Sequence, residues 1–200
     1  MGLIAKDNGS SFTPAPEGTH VAICCQVIDL GTQHSEFYNK DSHKVLVGWE
    51  LPNEKMDSGE PFLVWKRYTL SLGDKATLRA HLEAWRGRKF TADELESFHL
   101  KNIVGKPCML SIIHKTQDNR TFTEVSAVMA LPKGTTVPAS EHAEIMFDID
   151  DWNDAVFEKF SDNLKKTIMS SPEAIQRKSA GTVAVMDGSP DDIDEDSIPF

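Results

Sequence analysis

Residues 61–87 read Pro61-Phe-Leu-Val-Trp-Lys-Arg-Tyr-Thr-Leu-Ser-Leu72-Gly-Asp-Lys-Ala-Thr-Leu-Arg-Ala-His-Leu-Glu-Ala-Trp-Arg-Gly87, and the hydrophobic period changes halfway along. From Phe62 to Leu72 the pattern suits an extended chain, with β-branched and aromatic residues packed closely. From Asp74 to Arg86, Leu78, Leu82 and Trp85 recur at i, i+4 and i+7, which predicts an amphipathic helix stopped by Gly87. A strand therefore feeds a helix at this point.

Outward from this junction the chain reads mostly as strand. His20 to Leu30 alternates Val21, Ile23, Cys25 and Val27 against Ala22, Cys24 and Gln26. Lys44 to Leu51 puts Val45, Val47, Trp49 and Leu51 on one face, and Pro52 with Gly59–Pro61 brackets a turn. Residues 31–43 are polar and read as a long loop with Phe37 and Tyr38 in its middle. After the helix, Thr91 with Glu94 forms a capping-box pattern. Cys108 to His114 and Thr121 to Met129 then give two further strands around an Asp118–Asn119 turn. Three strands, a helix and two strands is the order of an OB-fold. The expected fold class is mainly β: a five-stranded OB-fold barrel with a helix between strands three and four, then a C-terminal helix and a disordered acidic tail. The expected divisions are a flexible arm (1–18), the barrel (19–131), a Pro-containing linker (132–145), a helical segment (146–179) and the tail (180–200). Trp152, Val156, Phe160, Leu164 and Ile168 step by four and predict a single helix over Asp151–Met169.

The net charge of −10 at first argues against a nucleic-acid partner. Its distribution removes the objection. Residues 1–140 hold 16 basic and 16 acidic side chains, whereas residues 141–200 hold 5 and 15. The N-terminal part is thus neutral and free to gather its cations on one face. Three cysteines, Cys24, Cys25 and Cys108, lack Cys-x-x-Cys spacing, and neighbours on a strand point to opposite faces, so free thiols are expected. No apolar run reaches the ~18 residues of a membrane span, and no signal-peptide pattern opens the chain, so a cytoplasmic location is expected.

Catalytic and metal-binding patterns fail. Asp148-Ile-Asp-Asp-Trp-Asn153 starts like a calcium loop, but Asn153 stands at the glycine position and Lys159 at the final glutamate. Histidines and cysteines lack zinc spacing, and no glycine-rich phosphate loop occurs. No cofactor, no metal and no enzymatic activity are expected.

Aromatic side chains interleaved with bases carry the binding expectation. Trp65-Lys66-Arg67-Tyr68 lies on the third strand, part of the usual ligand face of an OB-fold. Alternation sends Trp65 and Arg67 to one face and Lys66 and Tyr68 to the other. Both faces cannot be core, so the Trp65/Arg67 face is expected to meet the ligand; the alternative places Trp65 in the core. Phe37, Tyr38, Lys40 and Lys44, with Lys115, Arg120 and Phe122 on the far turn, would flank that groove. Arg86, Arg88 and Lys89 form a second basic cluster, or else a solvated helix end. Trp49 and Trp85 read as core.

The last ten residues, Asp191-Asp192-Ile193-Asp194-Glu195-Asp196-Ser197-Ile198-Pro199-Phe200, join five acids to an apolar hook. A solubilising terminus is the plain reading of acids alone, but such a terminus has no need of the hook. This stretch resembles the acidic tip of bacterial single-stranded DNA-binding proteins, with Ser197 where that family usually has an acid. The resemblance implies that Asp191, Asp192, Asp194, Glu195, Asp196, Ile198, Pro199 and Phe200 dock onto replication and recombination proteins. Lys44-Val-Leu-Val-Gly-Trp-Glu-Leu51, Lys66-Arg-Tyr-Thr-Leu-Ser-Leu72 and Leu82-Glu-Ala-Trp-Arg-Gly87 resemble single-stranded DNA-binding proteins of tailed phages across roughly residues 1–170. That likeness implies an OB-fold holding single strands without sequence preference. An OB-type adaptor that binds protein and not DNA is the competing expectation.

Overall fold

Long strands with irregular registers dominate the computed structural model, which describes residues 13–117 and 120–178; of Arg120 only the backbone is described. Strand β1 (Gly18–Ser35) pairs antiparallel with β2 (Lys40–Lys55), which pairs with β3 (Pro61–Thr69). Helix α1 (Thr77–Arg86) and the short α2 (Ala92–Glu96) follow, then β4 (Pro107–Gln117) and β5 (Arg120–Met129). The sheet order is β3-β2-β1-β4-β5, and a short β6 (Ile145–Phe147) lies parallel to β1 beside Gln26–Ile28. Among the described residues no ladder joins β3 to β5. Lys66 spans the gap instead, donating from Nζ to the Val125 carbonyl at 2.6 Å.

The first of two apolar clusters lies between the sheet and α1. Val45, Val47, Trp49 and Leu51 of β2 meet Val64 and Tyr68 of β3, Cys108, Leu110 and Ile112 of β4, and Leu78 and Leu82 of α1. Burying an aliphatic side chain of this size contributes roughly 1.5–3 kcal/mol. Trp49 is buried as expected, and Trp85 packs half-buried on the cluster while its Nε1 donates to Pro107 O at 2.8 Å. Helix α1 ends at Gly87, whose left-handed backbone (φ 66°) lets Arg88 N–H reach Glu83 O. The Thr91/Glu94 capping box opens α2 as read. Cys24, Cys25 and Cys108 are free and buried, and burial pushes the Cys25 thiol up to about 12.

Several expectations need correction. Residues 31–43 are not a long loop: β1 and β2 continue past the sheet as a hairpin arm turning over residues 36–39. The ribbon's side chains are polar or exposed and its base is held by hydrogen bonds, so its alternation carries no apolar signal. Strand β2 also runs through Pro52, where the register with β3 shifts between Leu51 and Lys55 and tolerates the missing N–H. The described part of the N-terminal arm is tied down. Ala15 is buried, and its carbonyl lies 2.7 Å from His114 Nε2.

The C-terminal segment is a second body of packing, not one helix. It forms α3 (Asp154–Phe157) and α4 (Asp162–Met169), capped separately by Asn153 and Ser161, with residues 172–178 also helical. The steps of four still predicted burial: Trp152, Val156, Phe160, Leu164 and Ile168 all join a second cluster with Phe147, Ile149 and Phe157. That cluster covers Ile28 and Leu30 of β1 and contacts Leu46 and Trp65. No helix among the described residues is long and apolar enough to cross a membrane.

The expected linker is strapped to the sheet through Glu50. That carboxylate is fully buried and accepts from Ser140 Oγ (2.7 Å), the Glu141 amide and the His142 amide (2.7 Å), with His142 Nδ1 at 2.8 Å. Burial pushes its carboxyl up, but these donors outweigh that cost and hold it below the usual range.

Candidate nucleic-acid interface

The hairpin arm projects the two most exposed aromatic side chains among the described residues. Phe37 is 88% and Tyr38 76% exposed, and their rings meet edge to face at 4.8 Å. Exposed rings of this size on a turn have no packing role to explain them. Lys40 is exposed beside them.

Below the arm an open groove of about 960 Å³ runs between β3, the loop entering α1 and β5. Lys44, Lys66, Arg67 and Lys75 line it, against Asp74 and Glu124. A neighbouring hollow of about 430 Å³, bordered by His34, Tyr38 and Lys40, shares Lys44, Arg67 and Thr69 with it. The two form one trough leading from the arm toward α1. Its cations are not equally free. Arg67 is exposed, whereas Lys44 Nζ donates to Thr69 Oγ1 at 2.8 Å. Lys66 is largely buried and lies 3.7 Å from Glu124. Glu124 is also bound by Lys115, which lowers its carboxyl further than Lys66 does. The acid is thus already neutralised from two sides.

Trp65 and Arg67 share a face of β3, as alternation requires, but their settings differ: Arg67 is exposed and lines the trough, whereas Trp65 is half-buried. Both faces at this point are partly core. Tyr68 points inward and is buried, its hydroxyl 2.8 Å from His81 Nδ1 at the groove floor. Burial pushes the Tyr68 phenol far up and the His81 imidazole down, with Lys66 adding to the latter, so both stay neutral. Trp65 is half-buried on the outer face. Its ring lies over Gly48, where an added Cβ would come within 2.5 Å of it, and it packs against the C-terminal cluster. One edge borders a separate cleft shared with Phe122, which is 48% exposed.

The second basic cluster is not part of the trough. Arg86 is wedged over Phe90 (4.4 Å) and Phe98 (5.3 Å) and paired with Glu94, and Arg88 pairs with the same carboxylate at 2.7 Å. Arg88 first, then the Thr91 amide and Arg86, hold Glu94 at about 2 against the cost of desolvation. Lys89 follows at the far end of α1, roughly 15 Å along the axis from the end that borders the groove. Lys75 was missed in the sequence, although a base in the loop after strand three was its visible signal. The tail residues 191–200 lie outside the described residues, as does the Asp118–Asn119 turn. No protein-family model matches the chain, and a search of curated proteins found no match.

Proposed function

We propose that this chain binds single-stranded DNA without sequence preference, on an OB-type barrel whose β3–β5 closure is made by side chains. The observation that carries the reading is the juxtaposition of the exposed Phe37–Tyr38 pair with a trough edged by Lys40, Lys44, Arg67 and Lys75. Cations beside stacking rings suit a flexible polyanion with unpaired bases. Each stacked base contributes roughly 1–3 kcal/mol, and every base offers a π-face. Trp65 is then a support for β3, and Phe122 belongs to the separate cleft beside it.

In the same reading, residues 191–200 recruit replication and recombination proteins and compete with DNA for the trough. A tethered polyanion raises the local concentration of negative charge beside Lys44 and Arg67. Titration of fluorescent oligo-dT at low salt tests the first claim; saturable binding that weakens with salt is expected, and no binding favours the protein adaptor. Removing residues 191–200 is expected to tighten oligo-dT binding severalfold at low salt and to have little effect at high salt. Unchanged or weaker binding at low salt would count against the competition.

A further inference from the structure

The aromatic arm leaves the sheet at a kink. Gly31 has φ 66°, Asp29 Oδ1 accepts its N–H at 2.8 Å, and the β1–β2 register shifts between the two residues. Beyond this point β1 pairs with β2 alone among the described residues, since β4 stops at Ile23 and β3 at Lys44. An isolated two-stranded ribbon is marginal in water. The C-terminal segment braces it. Glu173 accepts from the Thr32 amide (3.0 Å) and the Thr32 hydroxyl (2.5 Å), and Gln33 Nε2 donates to Thr167 O at 2.9 Å. Ser171 fills the space beside Gly31 where a Cβ would stand.

His43, the cross-strand partner of Thr32, sits between two carboxylates. Its Nε2 is 2.6 Å from Asp29 Oδ1 and its Nδ1 3.8 Å from Glu173 Oε1. Asp150 adds a third, more remote negative charge, while Asp148, Asp151, His99 and Lys101 line the cleft that Asp29 also borders.

We propose that Asp29, His43 and Glu173 form a latch by which the C-terminal segment holds the aromatic arm, and that the latch loosens when His43 loses its proton. A neutral imidazole has one N–H and no charge, so it cannot serve both carboxylates, and their mutual repulsion is then uncompensated. The Asp29 bond raises the His43 pKa above its ordinary value, burial opposing it. A raised value means the contribution is complete below the ordinary imidazole pKa of about 6.5 and lost as pH rises through the higher folded one. Burial pushes the Glu173 carboxyl up, but the Thr32 donors outweigh it and keep the acid ionised across that window. Glu173 is a positioning residue: it touches the arm's base, not its rings. The latch itself is independent of the DNA reading; only its consequence for affinity rests on that reading.

Amide exchange of the full-length chain without DNA tests it, normalised for the intrinsic rate between roughly pH 6 and pH 9. Protection of the Thr32 amide is expected to fall about tenfold across that range while the Val47 amide in the core of β2 does not change. His43→Gln is expected to flatten the Thr32 profile, and Glu173→Ala to hold it at the alkaline level throughout. A flat wild-type profile, or a wild-type slope in His43→Gln, overturns the latch. Oligo-dT affinity at constant salt is expected to fall severalfold with the same pH change in the wild type and not in His43→Gln. The expected exchange slope with no oligo-dT binding at all would sink the DNA reading and leave the latch standing; strong binding with a flat slope does the reverse.

Discussion

Replacing Lys44 and Arg67 together by glutamate is expected to lower oligo-dT affinity about 100-fold at low salt. Both side chains line both halves of the trough. A unit charge about 4 Å from a phosphate is worth about 1 kcal/mol in water, so each reversal swings about 2 kcal/mol before screening. The salt response gives an independent reading. Lys40, Lys44, Arg67 and Lys75 as phosphate contacts correspond to a slope of about −2.8 in log affinity against log salt, with about 0.7 per contact on a single strand. That is about 50-fold between about 50 and 200 mM salt, against about 7-fold when two contacts remain. Fluorescence anisotropy at several salt concentrations measures both quantities. Lys89→Glu, beyond the far end of α1, reverses one charge away from the trough and is expected to change affinity little. A loss in the control about half that of the double variant, in log affinity, would show diffuse attraction and no trough.

The second large effect concerns stability. Glu50→Ala is expected to destabilise the chain by about 3 kcal/mol, because a buried carboxylate is removed from donors that stay buried. The side chain is fully enclosed and gathers Ser140, Glu141 and His142 onto the outer face of β2. Its loss frees the strap leading to β6 and the C-terminal cluster, so the covering of Ile28 and Leu30 weakens with it. For a chain of this length the melting temperature falls by about 10 °C. The depressed Glu50 pKa contributes stability above the ordinary carboxylate value that is lost as pH falls through the folded one. Glu50→Ala therefore shows a shallower loss of stability on acidification. Urea denaturation near pH 7 and near pH 4 measures both effects; a loss below about 1 kcal/mol at neutral pH contradicts the strap's dependence on Glu50.

What the sequence revealed and concealed follows from the range of the interactions. Val45, Val47, Trp49 and Leu51 alternate because one contiguous interior receives them, and Leu78 and Leu82 show the helix that closes it. Thr91 and Glu94 satisfy each other locally, so their cap was legible. The half-burial of Trp65 was not legible because the cluster it packs against draws Phe147 to Ile168 from a segment some eighty residues or more downstream. Arg86 looked like a free base although Glu94 and two aromatic rings, eight residues or fewer from it by ion pair and twelve at most by ring, enclose it. The break between α3 and α4 escaped the steps of four because either a straight or a broken run buries the same residues. The arm was hidden for the opposite reason: a ribbon held by polar contacts at its base and exposed at its tip has no hydrophobic period, and only its exposed Phe37 and Tyr38 marked it.

Backbone amide chemical shifts of the full-length chain, recorded as oligo-dT is added at low salt, show which residues meet the strand. Perturbations concentrated in residues 34–44 and 66–77, absent from 86–101, are predicted. Shifts confined to Arg86–Lys101, or none at saturating oligonucleotide, would contradict it.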